Sequence, residues 1–418
     1  MCRGRVWCMF CPKSQRGILR TWWAAQVVLL LFPFWSTRRP PLVHPSRQTD
    51  TIDPLVTEMA ASSKTMKAVV FDAPYKVSVV DRPVPQLQHD TDIIVKVHAS
   101  GLCGSELHAY RGLEPCGSGF VMGHEFTGTV TEAGSAVKTL KVGDKVVAPF
   151  TTSCLQCFYC LKGETSRCEQ SQLFGSASLD GGQAEYVRVP LADGTAVRAP
   201  AEIRDDRALV LMADIWPTGY YGASSALALL GCDPRRLRDE AVVVVVGCGP
   251  VGLCAVAALA ELGPPKHLFA VDAVDGRLEV ARALGAEPLN YAADPEGMLR
   301  RVREAGGGRG ADAVVEVVGL SPALRTAFDL LRPFGVLSSI GVHNGEIPWT
   351  GAEGYDKNLR IQMGRCPVRG IFSEALEVLA KAQDKLGFMF DKIMPLDSAV
   401  EAYDMFDKRK VQKVIFTP

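Results

Sequence analysis

The run of five valines from Val242 to Val246, followed without a break by Gly247-Cys248-Gly249-Pro250-Val251-Gly252, constrains the fold more than any other segment. A continuous β-branched run reads as a strand buried on both faces, the signature of a parallel sheet covered by helices. Glycines placed directly after such a strand, at the opening of a helix, let the backbone approach a pyrophosphate at the helix N-terminus. Gly247, Gly249, Pro250, Val251 and Gly252 are therefore the expected dinucleotide cradle. Further apolar strands at 268–272 and 313–318 alternate with amphipathic helical stretches at 277–284 and 323–331, the rhythm of a doubly wound parallel sheet. Asp272 ends the strand at 268–272, where a carboxylate accepts from ribose hydroxyls and repels a 2′-phosphate, favouring NAD over NADP. Arg277 either softens that preference or is a solvated helix residue.

The chain before this region reads differently. From Met66 to about Val189, short alternating segments such as 93–97 are separated by many glycines, an antiparallel β-rich pattern. Within it Cys154, Cys157, Cys160 and Cys168 are spaced C-x2-C-x2-C-x7-C, which suits four thiolates closing a tetrahedral shell around a structural zinc. An iron–sulfur cluster or a set of inert thiols are the alternatives, although no proline follows the last cysteine as in bacterial ferredoxins. Earlier still, Cys103 and the pair His124-Glu125 offer a thiolate, an imidazole and a carboxylate, a donor set that can hold a catalytic zinc with one position open. The 13 cysteines are odd in number and clustered, which argues for metal sites in a reducing compartment rather than a disulfide framework. The separate Cys8-x2-Cys11 pair has no partners at a metal-binding spacing and is read as no site.

Lysine plus arginine equal aspartate plus glutamate at 46 each, which removes a general case for nucleic-acid binding. The balance is uneven, because residues 1–49 hold eight basic side chains and no acidic one. Residues 1–65 form an N-terminal extension whose apolar run, 22–35, is short of the roughly 20 residues that cross a bilayer, so no stable membrane insertion is expected. The extension is either a targeting segment, mitochondrial or secretory, or an unstructured stretch preceding a start at Met59 or Met66. A cytoplasmic location is expected, with a mitochondrial one as the alternative if the extension is a genuine targeting segment.

Gly123-His124-Glu125-Phe126-Thr127-Gly128, followed by Gly134 and Val137, resembles the zinc-containing alcohol dehydrogenase signature. The order Cys103, His124-Glu125, four-cysteine lobe and glycine-rich loop is similar to the zinc-containing medium-chain dehydrogenases from Met66 to the end. That resemblance implies an α/β chain with a GroES-like β-rich catalytic domain (66–216 and 365–418, structural-zinc lobe 150–170) and a Rossmann doubly wound parallel-sheet domain (217–364). It also implies two Zn2+ per chain and NAD. A third catalytic-zinc ligand is implied shortly before Thr218-Gly219-Tyr220, where Asp214 stands in place of the cysteine of many members. The same substitution marks a branch resembling glutathione-independent formaldehyde dehydrogenases, formaldehyde dismutases and related fungal zinc-type alcohol dehydrogenases. A simple helix cap is the alternative role for Asp214. Glu125, in this family, stands behind the zinc or binds it transiently.

Ser105 and His108 match the positions of a hydroxyl-to-imidazole proton relay, with a surface histidine as the plainer reading of His108. Thr218, Val317, Gly341 and Val342 fall where the family lines the nicotinamide, and Phe150, Trp216 and Val342 are expected apolar walls for an uncharged alcohol or aldehyde. The implied function is zinc-dependent hydride transfer between an alcohol, or an aldehyde hydrate, and NAD. A formaldehyde or aldehyde dismutase with tightly bound NAD, and a catalytically silent protein of the same fold, are the alternatives. Zinc-free quinone reductases of this fold lack both metal sets. The short connection from Cys168 to 181–186 resembles the tetrameric members, so a homotetramer is expected.

Overall fold

The computed structural model describes residues 64–418 other than Arg204 and Asp391. The extension up to Ser63, with its basic residues, the run 22–35, the Cys8-x2-Cys11 pair and Met59, lies outside the described residues.

Alternating apolar and polar residues open the described chain with a hairpin, β1 (Thr65–Ala73) against β2 (Lys76–Pro83). Five more strands follow: β3 (Ile93–Leu102), β4 (Glu125–Ala133), β5 (Lys145–Ala148), β6 (Tyr186–Val189) and β7 (Val197–Arg198). β3 is the hub, pairing antiparallel with β4 along one edge and with β6 over its first residues on the other.

The valine run forms β8 (Val242–Val246), buried at every position as a strand covered on both faces must be. With β9 (His267–Asp272), β10 (Glu287–Asn290), β11 (Ala311–Glu316), β12 (Leu331–Ser339) and β13 (Arg360–Met363) it builds an all-parallel sheet. The strand order is β10-β9-β8-β11-β12-β13. The order reverses between β8 and β11, and ligands of such sheets bind at the carboxyl ends of the strands at that point. β11 lies two residues earlier than the apolar pattern suggested. The Glu316 carboxylate accepts the N–H groups of Val318 (2.7 Å) and Gly319 (2.9 Å), which turns the chain out of the sheet.

The chain then returns to the first sheet. β14 (Ile393–Pro395) runs parallel to β15 (Val414–Thr417), and β15 pairs antiparallel with the last residues of β3, Val414 opposite Leu102. The resulting seven-stranded sheet is ordered β14-β15-β3-β4-β5-β7, with β6 also on β3. A single buried cluster joins the two halves: Cys103, Val147 and Phe150 pack with Leu211 to Trp216, with Val243 and Val245 of β8, and with the helix Phe372–Ala382. A shared core of this kind fixes the floor of the cleft between the sheets. Among the described residues no helix is long and apolar enough to cross a membrane.

Candidate metal centre and nucleotide site

Three elements converge on one point at the base of that cleft. Cys103 directly follows β3, His124 directly precedes β4 and Glu125 opens it, and Asp214 precedes the helix Ile215–Leu230. One ligand atom from each of Cys103, His124, Glu125 and Asp214 lies within 4.8 Å of the others. Asp214 Oδ2 is 3.4 Å from Cys103 Sγ and 3.3 Å from His124 Nε2. The carboxylate makes no capping hydrogen bond to the helix it precedes, and its Oδ1 instead accepts from the Thr218 hydroxyl at 2.8 Å. Of its two sequence-stated roles, the geometry therefore favours a ligand over a cap.

Glu125 is wholly buried. Its Oε2 is paired with Lys413, carried in by the residue before β15, while Oε1 has no hydrogen-bond partner. Gly101, opposite Glu125 in the strand register, makes this possible, because a Cβ there would fall 1.9 Å from Oε2. A buried, unpartnered carboxylate oxygen beside a thiol, an imidazole and a second carboxylate is a donor set that fits a divalent cation.

The electrostatics agree. Burial, then the charges of Glu125 and Asp214, push the Cys103 thiol above its ordinary range. Burial opposes charge on His124, but Cys103, Glu106 and the hydrogen bond to Asp214 outweigh it and hold the imidazole well above its usual pKa. Protons fill the role of a cation in such a cluster, and a metal that displaces them inverts this pKa order.

Glu106 was not singled out in the sequence, yet it organises the site. It is buried, its Oε1 is 3.2 Å from His124 Nδ1 and accepts the His124 N–H at 3.2 Å, and its Oε2 accepts the Cys103 N–H at 3.1 Å. Gln183, itself receiving the Tyr403 hydroxyl, donates to the same Oε2 at 3.0 Å. This arrangement sets a carboxylate beside His124 Nδ1 and leaves Nε2 facing Cys103 and Asp214, the usual support of a metal-binding histidine. A carboxylate three residues after Cys103 was the available signal. Lys413 had none, since only the pairing of β15 with β3 brings it here.

The Ser105 hydroxyl donates to Cys103 Sγ at 3.3 Å and stands 3.3 Å from His124 Nε2. His108 lies one turn on, in the helix Glu106–Tyr110, with Nδ1 3.6 Å from Glu114 Oε1. Among the described residues no hydrogen bond joins Ser105 Oγ to the His108 ring, so the two are neighbours without a direct link. Phe150 sets its ring edge toward His124, with centroids 6.2 Å apart, as an apolar wall requires. Val342 is exposed. Trp216 departs from the expected lining: it is wholly buried, its Nε1–H donating to the Ala375 carbonyl at 2.7 Å, because this face of its helix packs on Phe372–Ala382 and away from the cleft.

The second metal set stands apart. The thiols of Cys154, Cys157, Cys160 and Cys168 lie within 4.8 Å of one another, and none is in a disulfide. Backbone N–H groups point at the sulfurs, from Cys154 to Cys168 Sγ (3.3 Å) and from Cys157 to Cys154 Sγ (3.3 Å), which favours thiolate. Bonds from the Glu169 and Cys160 N–H groups lower the Cys157 pKa to about 6, while burial and the neighbouring thiols raise that of Cys160 to about 12.

At the switch point, Gly247 adopts φ +99° and Gly249 caps the helix Pro250–Leu262, with Pro250 in its first turn. A Cβ on Gly252 would fall 1.8 Å from the Gly247 carbonyl oxygen, so the tight loop needs glycine there. Val251 lies in the first turn, and Val317 packs against the loop from the end of β11. Asp272 accepts the Cys248 N–H (2.7 Å) and those of Ala273 (2.7 Å) and Val274 (2.9 Å), bracing the loop as well as standing at its mouth. Arg277 is 3.9 Å from Asp272 Oδ2. Gly341 packs against Gly319, where a Cβ would meet the Gly319 nitrogen at 2.2 Å. The Glu316 carboxylate, Ser339 hydroxyl (2.8 Å) and His343 imidazole (2.8 Å) lock the ends of β11 and β12 together behind these residues.

Comparison with known proteins agrees with this arrangement. Residues 89–201 match the family described as alcohol dehydrogenase GroES-like domain, and residues 250–381 match zinc-binding dehydrogenase. Zinc-type alcohol dehydrogenase B of Aspergillus flavus is 61% identical over 361 residues, spanning 86% of this chain and 83% of that protein. Among solved structures, alcohol dehydrogenase TADH of a Thermus species superposes with a TM-score of 0.76 at 35% identity, covering 84% of this chain and 99% of that one. An Escherichia coli alcohol dehydrogenase complexed with NADH superposes with a TM-score of 0.72 at 25% identity, covering 85% and 99%.

Proposed function

This chain belongs to the zinc-type, medium-chain alcohol dehydrogenase family, and from that premise we propose that it transfers a hydride between an alcohol, or an aldehyde hydrate, and NAD. The convergence of Cys103, His124, Glu125 and Asp214 within 4.8 Å, at the carboxyl edge of the parallel sheet's cleft, carries this reading. Cys103, His124 and Asp214 would hold the catalytic zinc with Glu125 close behind, and the four-cysteine lobe would hold a structural one. Zinc bound there supplies a Lewis acid that lowers the pKa of a substrate hydroxyl, and NAD supplies the hydride acceptor.

The protein's own groups do the rest. Ser105 is placed to take the substrate's hydroxyl proton, being 3.3 Å from both Cys103 Sγ and His124 Nε2, and His108 beside Glu114 is the next titratable group toward solvent. Phe150 excludes water from one side of the reacting centre. Asp272 beside the glycine loop favours the free ribose hydroxyls of NAD. Thr218 orients Asp214 through its hydroxyl. The protein acts in solution as a homo-oligomer, a tetramer by its short 169–180 connection.

The test is an NAD-coupled screen of the zinc-loaded protein over primary, secondary and aromatic alcohols and formaldehyde. NADH formation with one or more of them is expected. Conversion of aldehyde to equal amounts of alcohol and acid, with nucleotide retained through gel filtration, would assign the dismutase reaction instead. No turnover at full zinc would leave a silent member of the fold.

A further inference from the structure

Arg365 follows β13, is exposed, and carries a guanidinium with no carboxylate partner. It lies over the face of Phe150, 5.9 Å from the ring centroid, and Phe150 in turn sets its edge toward His124. Among the described residues it makes no hydrogen bond and no ion pair. The next residue, Cys366, is buried close enough to Asp214 and Thr218 to feel both, which anchors Arg365 beside the metal ligands. Partial shielding by the surrounding protein lowers the arginine's pKa, and the charge of Arg167, on the four-cysteine lobe, lowers it further. Asp214 and Glu114 favour its charge from outside ion-pair reach. A second arginine of this loop, Arg369, has a buried Nε with no partner. An exposed guanidinium without a carboxylate partner, set beside a reactive centre, is available to an anionic group of the substrate.

We propose that Arg365 is a substrate-recognition residue, and that the substrate is an alcohol or aldehyde carrying an anionic group, a carboxylate in the simplest case, a few carbons from the reacting carbon. This rests on the dehydrogenase reading above and narrows its substrate class, replacing the uncharged substrate expected from the sequence. A planar guanidinium receives a carboxylate through two parallel hydrogen bonds, and Phe150 beneath it holds the fork while its ring carries the intervening methylenes. The cofactor's own phosphates are the competing occupant. Their cradle is at the end of β8, three strand spacings or roughly 14 Å across the sheet from β13, which places Arg365 on the substrate side. In the reaction the alcohol carbon loses a hydride to NAD and the hydroxyl proton leaves to solvent, while the anionic group is unchanged.

The experiment compares kcat/KM of the zinc-loaded enzyme for ω-hydroxy acids, from hydroxybutyrate to hydroxyoctanoate, with the 1-alkanols of equal length. Wild type should favour an acid of one length over its alkanol by about ten- to hundredfold. Arg365→Met and Arg365→Gln should each collapse that ratio, with Arg365→Lys retaining part of it. A wild type that favours the alkanols, or an unchanged ratio in both variants, overturns the proposal. A rise in the KM for NAD that leaves the ratio intact assigns Arg365 to the cofactor and overturns it too. If no alcohol is oxidised, the dehydrogenase reading fails by itself, and the anion site is then read by calorimetry with hexanesulfonate. Binding to wild type that both variants abolish supports the site, and no binding refutes it.

Discussion

Replacing Glu106 by glutamine tests the catalytic metal site at its least visible support. The two carboxylate oxygens accept three hydrogen bonds and stand in one ion-pair contact: the His124 N–H and, at 3.2 Å, its Nδ1 on one side, the Cys103 N–H and the Gln183 amide on the other. Glutamine keeps the shape but must turn its NH2 toward one of those pairs, so two contacts are lost and donors face donors. A hydrogen bond to a charged acceptor contributes about 1.5–3 kcal/mol, so losing two costs about 3 kcal/mol at the low end, or roughly 150-fold in an equilibrium constant. Rotation of Gln183 relieves part of this, which brings the expected loss of zinc affinity at the catalytic set to about 10–100-fold, the range seen for second partners of metal-binding histidines. The assay is a competition titration against a chromophoric chelator that counts zinc in two steps. The four-cysteine lobe shares no residue with Glu106 and serves as the internal reference. One weakened and one unchanged zinc, with kcat/KM falling in parallel, is the expected result. If Glu106→Gln keeps both zincs within about threefold, or weakens the two equally, the account of Glu106 as the orienting group is wrong.

Three further perturbations follow from the geometry. Burial opposes the charge of Asp193, but the Thr139 hydroxyl and the N–H groups of Thr139 and Lys138 outweigh it and lower its pKa. A folded pKa depressed below the unfolded value means stability present above about pH 4 and lost as pH falls through the lowered pKa. Asp193→Asn should therefore cost about 1–2 kcal/mol near neutrality. The difference from wild type in urea unfolding should close in acid, and a gap that persists there would contradict the assignment. In chelator-stripped protein, Cys157, with its pKa of about 6, should react with iodoacetamide before Cys160, at about 12, and peptide mapping that finds Cys160 labelled first would reverse the order. His108→Ala should lower kcat by about tenfold or more and flatten its pH profile, and an unaltered profile would remove His108 from the proton path.

What the sequence disclosed depended on how far a residue's role reaches along the chain. The valine strand, the glycine loop and the four-cysteine spacing are local, and each appears in the structure where its residues placed it, β8 at the same five positions. Boundaries slipped where a side chain competes for backbone groups. Glu316 ends β11 early by accepting two N–H groups beyond it. Trp216 was misplaced because helical phase relative to a distant helix decides which side it faces. Glu106 lay within reach of a local reading, three residues from Cys103. Lys413 and Arg365 did not, since only the closing of the two sheets brings them to the cleft.

The pairing of β15 with β3 has a consequence for the order in which this protein can be made. The strand that presents Cys103 is synthesised early, while its edge partner and the cation for Glu125 arrive only after the entire parallel sheet has emerged. Through most of translation β3 carries a half-open edge and Glu125 lacks its counter-ion, a state that exposes backbone groups to other chains. The nucleotide half can close on local crossovers, whereas the catalytic half must wait for a contact more than 300 residues long in sequence, as Leu102 and Val414 are. Metal capture at Cys103, His124 and Asp214 is thereby a late event of biosynthesis, and a ribosome that stalls short of Lys413 releases a chain able to form its nucleotide fold but with its metal-binding half unfinished.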